Sequence, residues 1–189
     1  MIRFVQAQTD PEAAAMQALV QKNWVEAEKK FAKLLEQKPS FLDYQTNYLI
    51  VLTELKRFEQ ALKVADQILK LHPSEEASIR MHKAEIYLQQ QKSDSCFVEL
   101  ERILVISPND LRVLLKKAWL EFELQQYDLA IATYSTILVQ NELIAEAWYG
   151  RGAAYYMRDG SVKVACENWA RAVELEYEPV QAFVKQFCQ

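Results

Sequence analysis

The feature of the sequence that most suggests a ligand-binding loop is the group of three glycines Gly150, Gly152 and Gly160. They are the only glycines in the chain and lie within the segment WYGRGAAYYMRDG. Closely spaced glycines can form a phosphate-binding loop where a strand leads into a helix. The chain contains neither G-x-x-x-x-G-K-[S/T] nor G-x-S-x-G. We therefore predict neither a nucleotide-binding loop of that type nor an activated serine nucleophile.

The two histidines, His72 and His82, lie ten residues apart, and neither has a second histidine or a cysteine at the spacing of metal ligands. We therefore predict no metal site. The adjacent carboxylates Glu75 and Glu76 lie near a predicted helix start, where they would complement the helix dipole. Because these groups do not converge, the sequence predicts no catalytic residues, no cofactor and no enzymatic activity.

The three cysteines are Cys96, Cys166 and Cys188. Their odd number and wide spacing argue against a disulfide framework and fit a reducing compartment. We expect Cys96 to lie in the core, whereas Cys166 and Cys188 remain candidates for reactive thiols.

Composition narrows the class of protein further. The 189-residue chain is 51% hydrophobic and has only 3 glycines and 5 prolines, which favours long helices over strands and tight turns. A net charge of −4 argues against a nucleic-acid partner. No apolar run is long enough to span a membrane, and the N-terminus lacks the apolar region of a secretory signal. We predict a cytoplasmic protein, with the soluble part of a secreted or membrane-anchored precursor as the alternative.

The chain has an internal period. Small residues recur at intervals of 34, 35, 34 and 35 residues, and we use them as anchors: Ala27, Ala61, Cys96, Ala130 and Ala165. Apolar residues lie mainly three positions before each anchor and four, seven and eight positions after it. These positions share one face of a helix. Prolines follow the first three anchors and end the helices there.

This pattern resembles the tetratricopeptide repeat family, whose unit is a 34-residue helix–turn–helix. Ala27 and Phe31, followed by Pro39, match the second half of the family motif. Trp148, Gly152 and Tyr155 match the first half, although Arg151 stands where a leucine is expected. The resemblance implies an all-α, right-handed superhelix of about five repeats with a short C-terminal capping helix.

The period also predicts the domain organisation. We expect an N-terminal extension over residues 1–7, and a short capping helix over 178–189 that opens at Pro179 and buries Phe183 and Phe187. The repeats are predicted at about 8–41, 42–75, 76–110, 111–144 and 145–177. The first helices are predicted near 10–21, 41–54, 75–90, 109–124 and 143–157. The second helices are predicted near 24–37, 58–71, 93–106, 127–140 and 161–175.

The resemblance implies that the first helix of each repeat lines a concave groove that binds a peptide or partner segment. The candidate groove residues are Asn47, Ile50, Met81, His82, Glu85, Arg112, Leu115, Lys116, Trp119, Phe122, Glu123, Tyr149, Gly150 and Tyr156. Gly150 is expected to face the groove and leave room for a peptide. The sequence leaves open whether Trp119 and Phe122 belong to the groove or to the core.

We therefore predict a non-catalytic protein-interaction module or scaffold. The alternative is a dedicated secretion or assembly chaperone that shields one client protein, and a homodimer through a terminal repeat is a further alternative. Some members of the family bind terminal carboxylates of chaperones through lysine, arginine and asparagine side chains. Arg112 and Lys116 fit that pattern, but Ile50 and His82 stand where asparagines are required, so this clamp is incomplete.

Overall fold

The computed structural model describes residues 10–188, which contain helices and no strand. The chain divides into two compact units, of which the first ends at Glu99 and the second begins at Leu100. The extension predicted over residues 1–7 lies outside the described residues. Within 10–188, no helix combines the length and the apolar composition that crossing a membrane requires.

The helices follow one another as antiparallel pairs joined by short turns. In the first unit they are α1 (Pro11–Val20), α2 (Trp24–Gln37), α3 (Leu42–Glu54), α4 (Phe58–Leu71), a 3-10 turn (Pro73–Glu75), α5 (Glu76–Gln89) and the first half of α6 (Ser93–Ile106). In the second they are the rest of α6, α7 (Leu111–Glu123), α8 (Tyr127–Gln140), α9 (Ala145–Asp159), α10 (Val162–Glu174), a 3-10 turn (Glu178–Val180) and α11 (Gln181–Phe187). The helices α1 to α10 confirm the predicted repeat helices, with ends within two residues of the expected positions.

The backbone repeats the period of the sequence. The residue five positions before each anchor adopts a left-handed conformation, with φ between 55° and 71°: Lys22, Lys56, Gln91, Gln125 and Gly160. In the first four turns the next residue closes the helix end, as where the Arg57 amide donates to the Leu52 carbonyl at 2.8 Å. This hydrogen bond to the fifth preceding residue is the Schellman motif, so the same cap ends four of the first helices.

The fifth repeat has one more residue between Gly152 and Ala165 than the family spacing, and the sequence predicts this residue in the turn between the two helices. That expectation is wrong. Gly160 keeps the same distance from Ala165 as the other left-handed residues keep from their anchors, so the turn is not longer. Instead α9 continues to Asp159, and the Gly160 amide donates to the Tyr156 carbonyl at 2.9 Å. The additional residue therefore lengthens the helix.

All five anchors are fully buried. Their small side chains let the two helices of a pair approach closely, and the larger apolar residues then pack around the contact. In unit 1, for example, Ala27 lies beside Phe31 and Tyr44, and the buried Cys96 confirms the expected core position.

Arg151 replaces the expected leucine without leaving a polar group unsatisfied. Its Nε donates to Asn168 Oδ1 at 2.8 Å, and its guanidinium carbon lies 4.6 Å from the centroid of the Trp148 ring. Burial lowers the pKa of Arg151 below its ordinary value. The aliphatic part of the side chain thus fills the leucine position while the charged end bonds across to α10.

Cys166 and Cys188 form a disulfide, with their Cα atoms 5.5 Å apart. The argument against disulfides from the number and spacing of the cysteines is therefore wrong, and these two residues are not the candidate reactive thiols. The bond joins α10 to the residue directly after α11. It forms because α11 folds back over α10, which brings together residues 22 positions apart. Sequence spacing carries no information about that long-range contact.

Candidate functional site

The side chains of α7 form the most exposed part of the predicted binding site. Arg112, Lys116, Trp119 and Glu123 lie at positions i, i+4, i+7 and i+11, so they share one helical face, which we call the α7 surface. Trp119 is 43% exposed, although its neighbours Ala118 and Leu120 are buried. Trp119 therefore belongs to the surface and not to the core.

Leu115 and Phe122 flank this surface and are partly buried. Both pack against the buried cluster that α7, α8 and α9 share. The Phe122 ring also meets Tyr127 edge to face, with centroids 5.6 Å apart. Phe122 thus contributes mainly to packing at the edge of the α7 surface.

Arg112 is positioned by the residue that caps α7. Its Nη2 lies 3.1 Å from Asp110 Oδ2, and Asp110 Oδ1 accepts from the Arg112 amide at 3.0 Å. Burial acts to raise the pKa of Asp110, but the hydrogen bonds from Arg112 and the backbone outweigh it and hold that pKa below its usual value. The Arg112 side chain is 87% exposed, so the ion pair is a weak surface contact that a bound carboxylate could replace.

Tyr149 and Tyr156, predicted in the groove of the last repeat, are covered by the C-terminal segment. The Tyr149 ring lies 5.5 Å from the rings of Tyr177 and Phe183. The Tyr156 ring lies 5.0 Å from that of Phe187. Burial raises the pKa of the Tyr149 hydroxyl. The C-terminal segment of the chain therefore fills the space beside both tyrosine rings.

Gly150 does not face a groove, so that expectation is wrong. It is buried, and a Cβ at this position would stand 2.3 Å from Tyr134 Cζ. Gly152 behaves as its family position implies, because a Cβ there would stand 2.7 Å from Trp169 Cδ1 and 3.1 Å from the Ala165 carbonyl oxygen. Both glycines make room for the helices packed against α9.

In the first unit, Asn47 lines a cavity of about 490 Å³. The cavity is lined by Glu12, Met16, Phe31, Leu42, Asp43, Tyr44, Thr46, Asn47, Glu75, Ser78 and Ile79. The Asn47 amide donates to Met16 Sδ at 3.7 Å. The Tyr44 hydroxyl donates to Glu12 Oε2 at 2.8 Å, and this hydrogen bond is the main reason why the pKa of Tyr44 is raised.

The charge of this cavity is opposite to that of a carboxylate clamp. Glu12, Asp43 and Glu75 line it, and its lining contains no lysine or arginine. A terminal carboxylate would meet like charges there, which disfavours binding. The incomplete motif and the acidic lining of the cavity are therefore two separate reasons not to expect the carboxylate end of a chaperone as the ligand.

The other predicted residues of the first unit lie outside this cavity. Ile50 on α3 and Met81 and His82 on α5 are partly buried, and Glu85 is exposed. Within residues 10–188, histidine, cysteine and carboxylate side chains form no cluster of three or more that could hold a metal ion.

Sequence reasoning missed part of the cavity lining. Glu12 and Thr46 lie fifteen residues before their anchors, as Leu115 does before Ala130. If the residue fifteen positions before the anchor is selected in every repeat, Glu12 and Thr46 are selected in addition to Asn47. The repeat period therefore contained the information needed to find them.

A comparison with protein-family models agrees with the repeat pattern of the sequence and with the helical pairs of the structure. A family model described as "Tetratricopeptide repeat" matches residues 50–95 and 115–179, more than half of the chain. No curated protein sequence matches significantly.

Several solved structures are similar in fold. MamA from Desulfovibrio magneticus RS-1 is 18% identical, with a TM-score of 0.74 over 89% of this chain and 94% of that one. YrrB, described as a TPR protein with an unusual peptide-binding site, is 15% identical, with a TM-score of 0.70 over 91% and 88%. A repeat protein from Parabacteroides merdae is 18% identical, with a TM-score of 0.74 over 85% and 63%. At these identities the likeness shows the fold alone.

Proposed function

Because the chain belongs to the tetratricopeptide repeat family, we propose that it is a non-catalytic interaction module that binds a segment of another protein on the α7 surface. Proteins of this family generally act as interaction scaffolds. The observation that carries the proposal is the exposure of Trp119 on a helix whose neighbouring positions are buried. A large apolar side chain held at the surface by a rigid helix is suited to anchor a partner.

The α7 surface carries a positive charge on one side of Trp119 and a negative charge on the other. Arg112 lies two helical turns before it and Glu123 one turn after it. Tryptophan and arginine are enriched among the residues that contribute most to binding, whereas flanking charges mainly orient the partner. We therefore infer that the segment places an apolar side chain against Trp119 and a carboxylate toward Arg112.

A peptide is the best-supported ligand class. The structurally similar YrrB is described as having a peptide-binding site. Helical repeat folds of this kind present extended surfaces, which suit a chain segment better than a small molecule. A homodimer through the last repeat is less well supported, because α11 covers Tyr149 and Tyr156 there.

The disulfide weighs against the reducing compartment predicted from the cysteine count. Disulfides that persist are rare in the cytosol, where cellular thiols keep cysteines reduced. We infer that at least part of the protein's life is spent under oxidising conditions.

The proposal is tested by selecting peptides from a displayed library on the oxidised full-length protein. Their affinities are then measured by fluorescence anisotropy for the wild type, Trp119→Ala and Leu129→Ala. Leu129 is a matched control because it is an exposed apolar residue on α8. We expect Trp119→Ala to weaken binding about tenfold or more, equivalent to about 1.4 kcal/mol, and Leu129→Ala to change little.

Equal affinities for the two variants would contradict the proposal. Co-purification of one client at a fixed stoichiometry, unaffected by Trp119→Ala, would instead favour the dedicated chaperone. Unchanged thermal melting of Trp119→Ala serves as the folding control, since the side chain is largely at the surface.

A further inference from the structure

The last helix of the chain rests on an aromatic face formed by Tyr149, Tyr156 and Trp169. Phe183 lies 5.5 Å from the Tyr149 ring and 5.6 Å from the Trp169 ring. Phe187 lies 5.0 Å from Tyr156 and 6.1 Å from Trp169. These two phenylalanines, four residues apart on one side of α11, account for its ring contacts with the face.

By itself α11 is a weak element. It has seven residues, whereas isolated helices of fewer than about 12–15 residues are marginal in water. Phe183 remains 36% exposed even in the docked position. Contacts of this extent can position a helix that is already held close, but they provide little stability of their own.

Both ends of α11 are held by other groups. On the N-terminal side, Val180 is fully buried and contacts the cluster around Trp169. On the C-terminal side, Cys188 follows directly after the helix and is bonded to Cys166 of α10. The disulfide thus fixes the end of α11 that no buried residue anchors, and it restricts how far the helix can move away.

We propose that the Cys166–Cys188 disulfide is a redox latch that controls access to the aromatic face. With the bond intact, α11 covers Tyr149, Tyr156 and Trp169. With the bond reduced, α11 leaves readily and the face accepts a helix from a partner protein that presents two aromatic side chains four residues apart. This inference goes beyond binding at the α7 surface, which is open in both redox states.

The kind of partner follows from the segment that occupies the face now. Residues four apart on a helix lie on the same side and can fill adjacent sites, as Phe183 and Phe187 do. The face offers three rings that favour tilted or edge-to-face aromatic contacts. A helix with the same spacing from another protein would therefore reproduce the contacts of α11.

The chemical step is an ordinary thiol–disulfide exchange. A dithiol attacks the bond between Cys166 and Cys188, passes through a mixed disulfide and leaves as its own cyclic disulfide. Two electrons and two protons pass to the protein, which gains the two cysteine thiols. A disulfide oxidant reverses the step. Cys96 takes no part because it is buried.

The latch is tested first by hydrogen exchange with mass spectrometry on the full-length protein, with and without a dithiol. We expect the amides of residues 181–187 to exchange roughly tenfold faster or more after reduction, because the docked state loses its tether. The amides of α8 serve as the internal control and should not change. A Cys166→Ser/Cys188→Ser variant should match the reduced wild type under both conditions. Unchanged exchange in α11 would overturn the latch.

The docking site is tested with a labelled peptide of residues 178–188 carrying Cys188→Ser. We expect it to bind the reduced protein at least about tenfold more tightly than the oxidised protein, as judged by fluorescence anisotropy. The matched control is the same peptide with Phe183→Ala and Phe187→Ala, which should not bind. Equal binding to both redox states, or binding to neither, would overturn the proposal.

A second outcome concerns the occupant. If reduction doubles the mass measured by light scattering, a second copy of this chain is the occupant, and the assignment to a partner helix is wrong. None of these results depends on Trp119→Ala, so failure of the latch and failure of the α7 surface can be told apart.

Discussion

Gly150 and Gly152 are two residues apart on α9, and each lies against a different aromatic ring. A methyl group on Gly150 would stand 2.3 Å from Tyr134 Cζ, and one on Gly152 would stand 2.7 Å from Trp169 Cδ1. Glycine inside a helix costs about 1 kcal/mol relative to alanine. Close packing of the two rings offsets that cost, so these glycines serve the repeat fold and not a phosphate loop.

Replacing Gly152 tests this explanation. We expect Gly152→Leu to lower the free energy of unfolding by about 1–3 kcal/mol, because the side chain would overlap Trp169 and the backbone of Ala165. Urea unfolding measures the change. Ala170→Leu on the exposed side of α10 is the control and should be nearly neutral. A Gly152→Leu protein as stable as the wild type would show that the ring contact is not tight.

Glu121 is a buried carboxylate in α7. It is 2% exposed and accepts a hydrogen bond from the Thr133 hydroxyl at 2.7 Å. Burial raises its pKa, and although Thr133 and Lys117 oppose this effect, the pKa stays above the ordinary value. Between the ordinary and the raised pKa, the folded protein binds more protons at this site than the unfolded chain does. Stability contributed by this site therefore decreases as the pH rises through that interval.

The pH dependence can be isolated with Glu121→Gln, which retains an acceptor for Thr133 but carries no charge. We expect the variant to be more stable than the wild type at pH 7.5, and this difference to shrink as the pH falls toward the ordinary carboxyl pKa. Urea unfolding across the pH range measures it. The exposed Glu123→Gln serves as control. A difference that stays constant with pH would contradict the proposed ionisation.

At the scale of the elements, the turns are the most regular feature. The left-handed position in each turn is occupied by lysine or glutamine in four repeats and by glycine in the fifth. Side chains other than glycine are strained there, by roughly 1 kcal/mol. The Schellman hydrogen bonds that end these helices compensate for the strain.

The turn after α7 gives a direct test. We expect Gln125→Gly to raise the free energy of unfolding by up to about 1 kcal/mol, because glycine adopts a φ of 60° without strain. Thermal unfolding measures the gain. Gln126→Gly is the matched control, since Gln126 has a negative φ and should not benefit. A destabilised Gln125→Gly protein would mean that the glutamine side chain contributes an unrecognised contact.

The positions of the repeat helices could be predicted because the anchors, the apolar stripes and the prolines all repeat in one register. The rotation of each helix about its own axis, which decides the residues that face the core, could not be predicted. On α7 a broad apolar stripe fits either a buried or an exposed Trp119, and only the packing against α8 and α9 decides between them. Gly150 was misplaced for the same reason, because the contact with Tyr134 comes from a neighbouring helix.

At the scale of the whole chain, the two units carry different surfaces. The first has a cavity lined with carboxylates, and the second has the α7 surface and the capped aromatic face. The capping helix itself was predictable from Pro179 and the two phenylalanines, but it begins at Gln181, after the 3-10 turn that contains Pro179. The expected burial of its phenylalanines is wrong, because Phe183 is exposed and Phe187 is only partly buried. Its disulfide was not predictable, because the pairing depends on how α11 folds back over α10.

The contribution of the disulfide to stability can be measured directly. Closing a loop of 22 residues should stabilise the folded state by about 2–4 kcal/mol, chiefly by restricting the unfolded chain. We expect a dithiol to lower the free energy of unfolding of the wild type by that amount in urea titrations. The Cys166→Ser/Cys188→Ser variant should be insensitive to the dithiol. A wild type whose stability does not change on reduction would contradict the structural role of the bond.

Trp119 is the residue that we propose contacts the partner directly. The most direct measurement is fluorine NMR of protein labelled with 5-fluorotryptophan, titrated with a peptide selected on the wild type. The chain has four tryptophans, and Trp119→Phe assigns the resonance of interest. We predict that the Trp119 signal shifts or broadens on binding, while that of Trp24 in the first unit does not. A bound peptide that leaves the Trp119 signal unchanged would contradict the claim.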